Sequence, residues 1–379
     1  MDRRLDRNRS LNTGTKPVRV LIIDDSALVR RILQDTLSKE SGIEVVGTAP
    51  DPFVAREKIL SLEPDVLTLD LEMPRMDGLS FLKRLMRYRP LPVIVISSLG
   101  QAGSTTALDA LRWGAVDVVA KPSGPNSVAT LEGQLAEKIR AASGAKLQEI
   151  QAHNLASLSS ATSPATSTTS SGAHLFSHHG NKRKLLVIGS STGGPPALET
   201  VLEHFGADCP PILIAQHIPA GFSRSFAERL DRNLPMHVRE AQNGDAVEPG
   251  KVLIAPGNFH MLLESGPHGW RVAVKDGPQV RYQRPSVDVL FHSVARHAGK
   301  DCVAAILTGM GNDGAAGLLA IRKLGGWTIA QDEASCTVYG MPREAVVLGA
   351  AREVVSLRRM AEHMDAALKR NAREEAAAS

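Results

Sequence analysis

The first half of the chain alternates short apolar runs with amphipathic stretches. Five of the runs predict β-strands, at residues 18–24, 44–48, 66–71, 93–97 and 117–120. They are apolar at nearly every position, which is typical of a parallel sheet with helices on both faces. Because helical patterns separate them, we predict an α/β fold here, a doubly wound (βα)5 domain over residues 17–143.

The alternating pattern stops between about residues 151 and 180, where eight Ser and four Thr lie among Ala, His and Gly. Such a segment predicts a flexible linker, and we assign it residues 144–181. Apolar runs resume at 184–190, 212–216 and 302–307. They predict a second α/β domain with a mostly parallel sheet over residues 182–370, followed by a terminal helix to which we assign no chemistry.

Charge changes this picture little. Lys and Arg number 44 and Asp and Glu 40, which gives a formal net charge of only +4. With 3 Trp, 3 Tyr and 8 Phe, the chain also offers few platforms on which bases could stack. We therefore expect no nucleic-acid partner.

The spacing of the cysteines and the length of the apolar runs bear on where in the cell the protein is found. Cys209, Cys302 and Cys336 are odd in number, widely spaced and without C-x-x-C spacing, so they predict neither a disulfide framework nor a zinc site. No apolar run is long enough to be a signal peptide or a membrane span. We expect a cytoplasmic protein that is not inserted into a membrane.

Polar side chains follow the predicted strands of the first domain. Asp24 and Asp25 end the first strand, Asp70 the third, Ser97 the fourth and Lys121 the fifth. Each could be a helix cap or a surface charge, but five at one sheet edge favour a functional site. Three carboxylates suit Mg²⁺, and the lysine and the hydroxyl suit a phosphoryl group on one of the aspartates.

Three segments of this domain, VLIIDDS at 20–26, DLEMPRMDG at 70–78 and AKP at 120–122, resemble the two-component receiver domain. The resemblance implies that Asp70 accepts a phosphoryl group from a histidine kinase of the CheA type. It further implies Mg²⁺ as the cofactor of that step, with Asp24, Asp25, Asp70 and the Glu72 carbonyl as its ligands. Ser97 would be the switch hydroxyl and Lys121 the phosphate partner. Val118 departs from many receivers, which have an aromatic residue there.

In the second domain, the strand at 184–190 runs into the turn Ser191-Thr192-Gly193-Gly194 and then into a helix. Gly189, Gly193 and Gly194 do not form the G-x-G-x-x-G pattern of a dinucleotide-binding turn. A tight structural turn capped by Ser191 is one interpretation. The segment 189–193 also satisfies G-x-S-x-G, which would make Ser191 a nucleophile on a strand-to-helix turn.

A nucleophilic serine requires a base and an acid that orients it. His217 follows the strand 212–216, and Asp313 lies in the turn after the strand 302–307. Singly, they could be a loop histidine and a helix cap. Ser191, His217 and Asp313 together, each after a strand, predict a catalytic triad, in an order different from that of α/β-hydrolases.

Residues 182–355 resemble the catalytic domain of the chemotaxis protein-glutamate methylesterase family, CheB, through IGSSTGG at 188–194, AQHIP at 215–219 and LTGMGNDG at 307–314. The resemblance implies Ser191 as nucleophile, His217 as general base and Asp313 as the residue that orients it. Main-chain N–H groups at Met310 and Gly311 would be the oxyanion donors. Ser190 departs from many members of the family, which have alanine there.

The implied function is hydrolysis of glutamate γ-methyl esters on methyl-accepting chemotaxis receptors, with methanol as product and no metal in the esterase step. Deamidation of receptor glutamines is a second implied activity. We further hypothesise that the unphosphorylated receiver covers the cleft of Ser191. Two alternatives remain at this point: a response regulator with a DNA-binding output domain, and a hydrolase of another ester.

Overall fold

The computed structural model of the chain describes residues 16–73, 76–98, 100–121, 125–147 and 184–378. Of the predicted linker, residues 148–181 lie outside the described residues. Below, the N-terminal domain means the described residues up to 147, and the C-terminal domain those from 184 onwards.

The N-terminal domain has a five-stranded parallel sheet in the order β2-β1-β3-β4-β5. Four of its strands are mostly buried, because helices cover both faces of the sheet, whereas the edge strand β2 is half-buried at most positions. This is the predicted (βα)5 arrangement. The elements are β1 (Val18–Ile23), α1 (Ala27–Leu37), β2 (Ile43–Ala49), α2 (Pro52–Leu62), β3 (Val66–Asp70), α3 (Gly78–Tyr88), β4 (Val93–Ser97), α4 (Gln101–Arg112), β5 (Asp117–Ala120) and α5 (Pro125–Ser143).

The C-terminal domain has a seven-stranded sheet, and each pair of neighbouring strands in it is parallel. The strand order is β14-β13-β12-β6-β7-β9-β8. The strands are β6 (Leu185–Ser190), β7 (Ile212–Gln216), β8 (His237–Glu240), β9 (Lys251–Ile254), β12 (Cys302–Ile306), β13 (Trp327–Gln331) and β14 (Glu353–Val355). The helices are α6 (Gly194–Leu202), α7 (Phe222–Asn233), α8 (Val287–His297), α9 (Ala315–Lys323), α10 (Met341–Val347) and α11 (Leu357–Ala378).

An antiparallel hairpin stands apart from this sheet. Its strands are β10 (His260–Gly266) and β11 (Gly269–Lys275). Buried Met261, Leu263 and Val272 of the hairpin belong to the same apolar cluster as the inward side of α8. The hairpin therefore covers one face of the C-terminal domain, beside the carboxyl ends of the central strands.

The two domains are in contact in the structure. Helix α4 of the N-terminal domain packs against α6 and α7 of the C-terminal domain. Lys146, within the described start of the predicted linker, donates from its ammonium to the carbonyl of Glu333 at 2.9 Å. None of the described helices combines the length and the apolar character needed to cross a bilayer.

Candidate active site and acidic cluster

Ser191 lies directly after β6, in the turn that leads into α6. Its main-chain N–H donates to the carbonyl of Thr308 at 3.0 Å, which ties the turn to the end of β12. The turn needs Gly193, whose φ is +76° and whose missing Cβ leaves room for Thr337. Ser191 is consequently held on a tight turn, with a side chain that is nearly buried.

Hydrogen bonds join the turn of Ser191 to the end of the neighbouring strand β7. Ser190 donates from its hydroxyl to Oε1 of Gln216 at 2.6 Å, and Nε2 of Gln216 donates to the carbonyl of Ser191 at 2.9 Å. Ser190 is thus a buried packing residue beneath the turn. His217 follows Gln216 directly, and β6 and β7 are paired up to Ser190 and Gln216. Ser191 and His217 therefore leave adjacent strands side by side.

His217 is held by Asp313. Nε2 of His217 lies 2.8 Å from Oδ2 of Asp313, and both side chains are only 3% exposed. An ionised carboxylate accepts hydrogen bonds only, so this nitrogen carries the ring proton. Nδ1 of His217 is buried and has no hydrogen-bond partner among the described residues. The lone pair on Nδ1 is therefore free to accept a proton.

Asp313 receives three further hydrogen bonds from the first turn of α8 and the residue before it. The donors are Oγ of Ser286 at 2.8 Å, N of Val287 at 2.7 Å and N of Asp288 at 3.1 Å. Burial would raise the pKa of Asp313, but the bonds from His217, Val287 and Ser286 outweigh it and lower the pKa. The carboxylate thus stays ionised near neutral pH, as an orienting acid must.

The turn after β12 carries Met310 and Gly311, the predicted oxyanion donors. No acceptor among the described residues is hydrogen-bonded to either main-chain N–H. Gly311 has a φ of +83°. Gly340 packs beneath the turn, where a Cβ would lie 2.6 Å from the carbonyl oxygen of Gly309 and 3.1 Å from the nitrogen of Gly311. The two N–H groups are therefore available to an acceptor, in the same turn that carries Asp313.

The N-terminal domain reaches this site. Oδ2 of Asp117, in β5, accepts a hydrogen bond from the hydroxyl of Thr192 at 2.5 Å. Oδ1 of the same carboxylate is bound by Lys138 at 2.7 Å. Thr192 directly follows Ser191 and is fully buried. One residue next to the candidate nucleophile is therefore bonded across the domain boundary.

At the carboxyl edge of the first sheet, Asp24, Asp25 and Asp70 have carboxylate oxygens within 4.8 Å of one another. Burial first, and then the charge of Asp70, raises the pKa of Asp24 to about 6. Oδ2 of Asp24 is buried without a hydrogen-bond partner among the described residues. A cation bound here would neutralise the negative charge of the clustered carboxylates.

Lys121 and Ser97 differ in their relation to Asp70. Lys121 donates to Oδ2 of Asp70 at 2.7 Å and lies 3.7 Å from Asp24. Burial opposes the charge on Lys121, but the bond to Asp70 and the neighbouring carboxylates raise its pKa. The hydroxyl of Ser97 instead donates to the carbonyl of Gly103 at 3.1 Å. Glu72 donates its N–H to Oδ1 of Asp70 at 2.9 Å.

Family models match both halves of the chain. The response regulator receiver domain matches residues 20–131, and CheB methylesterase matches residues 186–364. The protein-glutamate methylesterase/protein-glutamine glutaminase 2 of Syntrophus aciditrophicus is 50% identical over 92% of this chain and 98% of its own length. The chain belongs to the CheB family. The corresponding enzymes of Salmonella typhimurium and Escherichia coli K12 are each 49% identical over 92% of this chain and 96% of their own lengths.

Membership of the CheB family confirms the predicted fold class and the predicted function class, a hydrolase with a response regulator domain. It does not favour an output domain that binds DNA. The roles of individual residues are taken up as proposals below.

Sequence reasoning missed several residues that support this CheB site. Ser286 and Gly340 contact Asp313 and the Met310 turn from distant parts of the chain. The local sequence signal for Ser286 is weak, since a serine before an amphipathic helix predicts an N-cap and not a contact with Asp313. His260, to which the sequence pattern assigns no role, is buried and accepts a hydrogen bond from the N–H of Ser286.

Proposed function

We propose that this CheB protein hydrolyses glutamate γ-methyl esters on methyl-accepting chemotaxis receptors, with Ser191 as nucleophile, His217 as general base and Asp313 as the orienting acid. The observation that carries the proposal is His217 itself. Its Nε2 is bound to Asp313, while its buried Nδ1 lacks a hydrogen-bond partner among the described residues. A base needs such a free lone pair. Because β6 and β7 are neighbouring strands, His217 and Ser191 follow adjacent strand ends.

The reaction proceeds through an acyl-enzyme. Oγ of Ser191 bonds to the ester carbonyl carbon while its proton moves to Nδ1 of His217. The N–H groups of Met310 and Gly311 stabilise the resulting oxyanion. The bond from carbon to the methoxy oxygen then breaks, and methanol leaves with the proton from His217.

Water completes the cycle in the same geometry. It passes a proton to His217 and attacks the acyl carbon, and Ser191 leaves as the hydroxyl with that proton. The glutamic acid product then ionises. A glutamine side chain has the same carbonyl with ammonia as the leaving group, so we also propose receptor deamidation, in keeping with the names of the relatives.

Release of methanol from a methylated receptor tests the proposal. Ser191→Ala should abolish the release. Ser190→Ala is a matched control that should retain it, because among the described residues that buried hydroxyl is hydrogen-bonded to Gln216 alone. Methanol release that survives Ser191→Ala would refute the nucleophile. Release from a simple methyl ester but not from the receptor would favour a hydrolase of another ester.

We propose Asp70 as the phosphoacceptor, with Asp24, Asp25, Asp70 and the Glu72 carbonyl holding Mg²⁺. The three clustered carboxylates fit that ion, as does Oδ2 of Asp24, which lies 3.7 Å from the Lys121 ammonium but has no hydrogen-bond partner among the described residues. When bound, Mg²⁺ would neutralise the phosphoryl oxygens during transfer. The phosphodonor is a histidine kinase, for which we propose the CheA type.

Lys121 and Ser97 are the proposed switch pair. Lys121 now donates to Asp70, and after phosphorylation it would donate to a phosphoryl oxygen instead. Ser97 would have to exchange the carbonyl of Gly103 for the phosphoryl group. That exchange would alter the start of α4, the helix that contacts the C-terminal domain.

The receiver domain, proposed at residues 17–143, would inhibit the catalytic domain at 182–370 by covering its cleft, with the linker at 144–181 allowing release. The bond between Asp117 and Thr192 supports this. Deleting residues 1–180 should therefore raise basal esterase activity. An unchanged or lower rate in a folded fragment would contradict occlusion.

The three cysteines are free, which supports the cytoplasm as compartment.

A further inference from the structure

We propose that Ser286 and His260 are positioning residues for the esterase reaction, holding Asp313 in the orientation that His217 needs. The inference rests on the proposed function, because it concerns the same triad. Neither residue touches the reacting atoms. They act through Asp313, from the loop that precedes α8 and from the hairpin strand β10.

Ser286 uses its hydroxyl in two directions. Its oxygen accepts a hydrogen bond from N of Val289 at 3.3 Å, which caps α8. Its proton is donated to Oδ1 of Asp313 at 2.8 Å, in a site where Ser286 is 1% exposed. A helix cap requires only the acceptor. The donated proton is therefore a separate contribution, made to the acid of the triad.

His260 fixes the main chain at Ser286. Nδ1 of His260 accepts from N of Ser286 at 3.2 Å, so the ring proton is on Nε2. Nε2 then donates to the carbonyl of Pro278 at 3.0 Å. Pro278 lies near the start, and Ser286 at the end, of the loop that joins β11 to α8. His260 therefore clamps both ends of the loop whose last residue bonds to Asp313.

The contacts form one continuous series. It runs from Pro278 through His260, Ser286 and Asp313 to His217, whose Nδ1 has no partner among the described residues. Oδ2 of Asp313 faces His217 and the N–H of Val287, whereas Oδ1 faces the Ser286 hydroxyl and the N–H of Asp288. Without that hydroxyl, Oδ1 keeps one longer bond, and the carboxylate is free to rotate away from His217.

The helix offers a matched control for a purely structural role. Ser293, further along α8, is also buried, and its hydroxyl accepts from N of Leu263 in the hairpin at 2.8 Å. It donates to the carbonyl of Leu290 at 2.6 Å, and none of its hydrogen bonds among the described residues goes to the triad. Ser293→Ala removes a buried hydroxyl that bonds α8 to the hairpin, but leaves Asp313 with all its donors.

The experiment measures how fast a fluorophosphonate probe labels Ser191 in the full chain, with acetyl phosphate and Mg²⁺ present, as a function of pH. Labelling reports the reactivity of the nucleophile without the receptor. Ser286→Ala should slow labelling about tenfold at neutral pH, the usual cost of one hydrogen bond to a charged group. The midpoint of the acid limb should move to higher pH, because a carboxylate with fewer donors holds a proton on the His217–Asp313 pair more tightly.

Three comparisons decide the outcome. Ser286→Thr, which keeps the hydroxyl, should restore both the rate and the midpoint, and Ser293→Ala should match wild type in both. Ser286→Gly, which removes the hydroxyl while remaining a tolerable N-cap, should behave like Ser286→Ala if the latter does not fold. A wild-type rate and midpoint in folded Ser286→Ala or Ser286→Gly would overturn the proposal.

His260 is tested by a double-mutant cycle. If it acts through Ser286, His260→Ala should slow labelling in wild type and cause little further loss in Ser286→Ala. Multiplicative losses would contradict this part of the proposal. Failure of the probe to label Ser191 in wild type would count against the proposed nucleophile itself, and so against the proposed function.

Discussion

At the residue scale, buried carboxylates in the two halves of the protein have opposite environments. Asp313 is surrounded by four hydrogen-bond donors, which lower its pKa and keep it charged. Asp24 is buried beside Asp70, and its pKa rises to about 6. The first carboxylate is therefore held in its ionised form, whereas the second lies where the charge of a bound cation would favour ionisation.

Asp24→Asn is expected to stabilise the protein in the absence of Mg²⁺. The folded pKa of about 6 lies above the ordinary value of 3.8, so the charge on Asp24 destabilises the fold at any pH above about 6. The gain should be on the order of 2 kcal/mol at pH 8 and shrink as the pH falls from about 6 to about 4. Thermal unfolding across this pH range measures it.

The same experiment with Mg²⁺ provides the control. The ion should raise the unfolding temperature of wild type but not of Asp24→Asn, since the variant lacks a ligand. A variant that is less stable than wild type at pH 8 without Mg²⁺ would contradict the account of this cluster.

The sequence could predict which residues approach these sites, but not how they are oriented. Strand ends in a parallel sheet meet at one edge, so Ser191, His217 and the aspartates could be placed from the pattern alone. Which nitrogen of His217 faces Asp313 depends on packing between distant segments. So does the bond from Ser286, which is 27 residues from Asp313.

At the element scale, the turn after β12 depends on α10. Both N–H groups at the start of that helix, on Gly340 and Met341, donate to the carbonyl of Gly309, at 3.0 and 2.8 Å. These bonds fix the peptide that precedes Met310 and Gly311. The orientation of the proposed oxyanion donors is thus set by a helix that starts only at Met341, far along the chain from Met310 and Gly311.

Gly340→Ala should therefore lower kcat about tenfold or more, because the new Cβ would press on the carbonyl of Gly309 and the nitrogen of Gly311. KM should change little if the turn acts on the transition state rather than on substrate binding. Receptor demethylation at several substrate concentrations separates the two. A variant with a raised KM and an unchanged kcat would contradict the oxyanion role of this turn.

Elements that the sequence pattern did not predict are mostly short and near the edges of the second sheet. Strands β8, β9 and β14 have three or four residues each, too few for periodicity to distinguish them from loops. The longer β10 and β11 hairpin was also missed. Its position over α8 follows from tertiary contacts that a local pattern does not contain.

At the scale of the whole molecule, a partly buried ionic contact joins the two domains. Arg229 of α7 is 9% exposed and lies 2.8 Å from Asp109 of α4. Its other partner is Glu199 of α6, at 3.1 Å, which Arg112 of α4 also approaches to 3.5 Å. Burial raises the pKa of Glu199 despite these cations. The contact ties helix α4 of the receiver to the catalytic domain.

Arg229→Ala should raise basal esterase activity without a phosphodonor. If the contact favours the closed arrangement by about 1 kcal/mol, the open population and the basal rate should rise about fivefold. The rate after phosphorylation should be unchanged, because phosphorylation would open both proteins under the proposed occlusion. Methanol release with and without acetyl phosphate measures this.

Arg224→Ala is the matched control for the interface. Arg224 lies on the same helix and pairs with Glu240 of its own domain at 3.4 Å, with 70% of its side chain exposed. Its removal should leave the basal rate as it is. Equal basal rates in wild type and Arg229→Ala would mean that this contact does not restrain the enzyme.

The central claim is that Ser191 carries the glutamyl group, and rapid quenching tests it most directly. Phosphorylated enzyme is mixed with a methylated receptor fragment, stopped with acid within the first turnover, and digested for mass spectrometry. We predict that the peptide containing Ser191 carries the glutamyl fragment as an ester, in step with the first methanol released. An adduct on another residue, or first-turnover methanol without any adduct, would contradict the account.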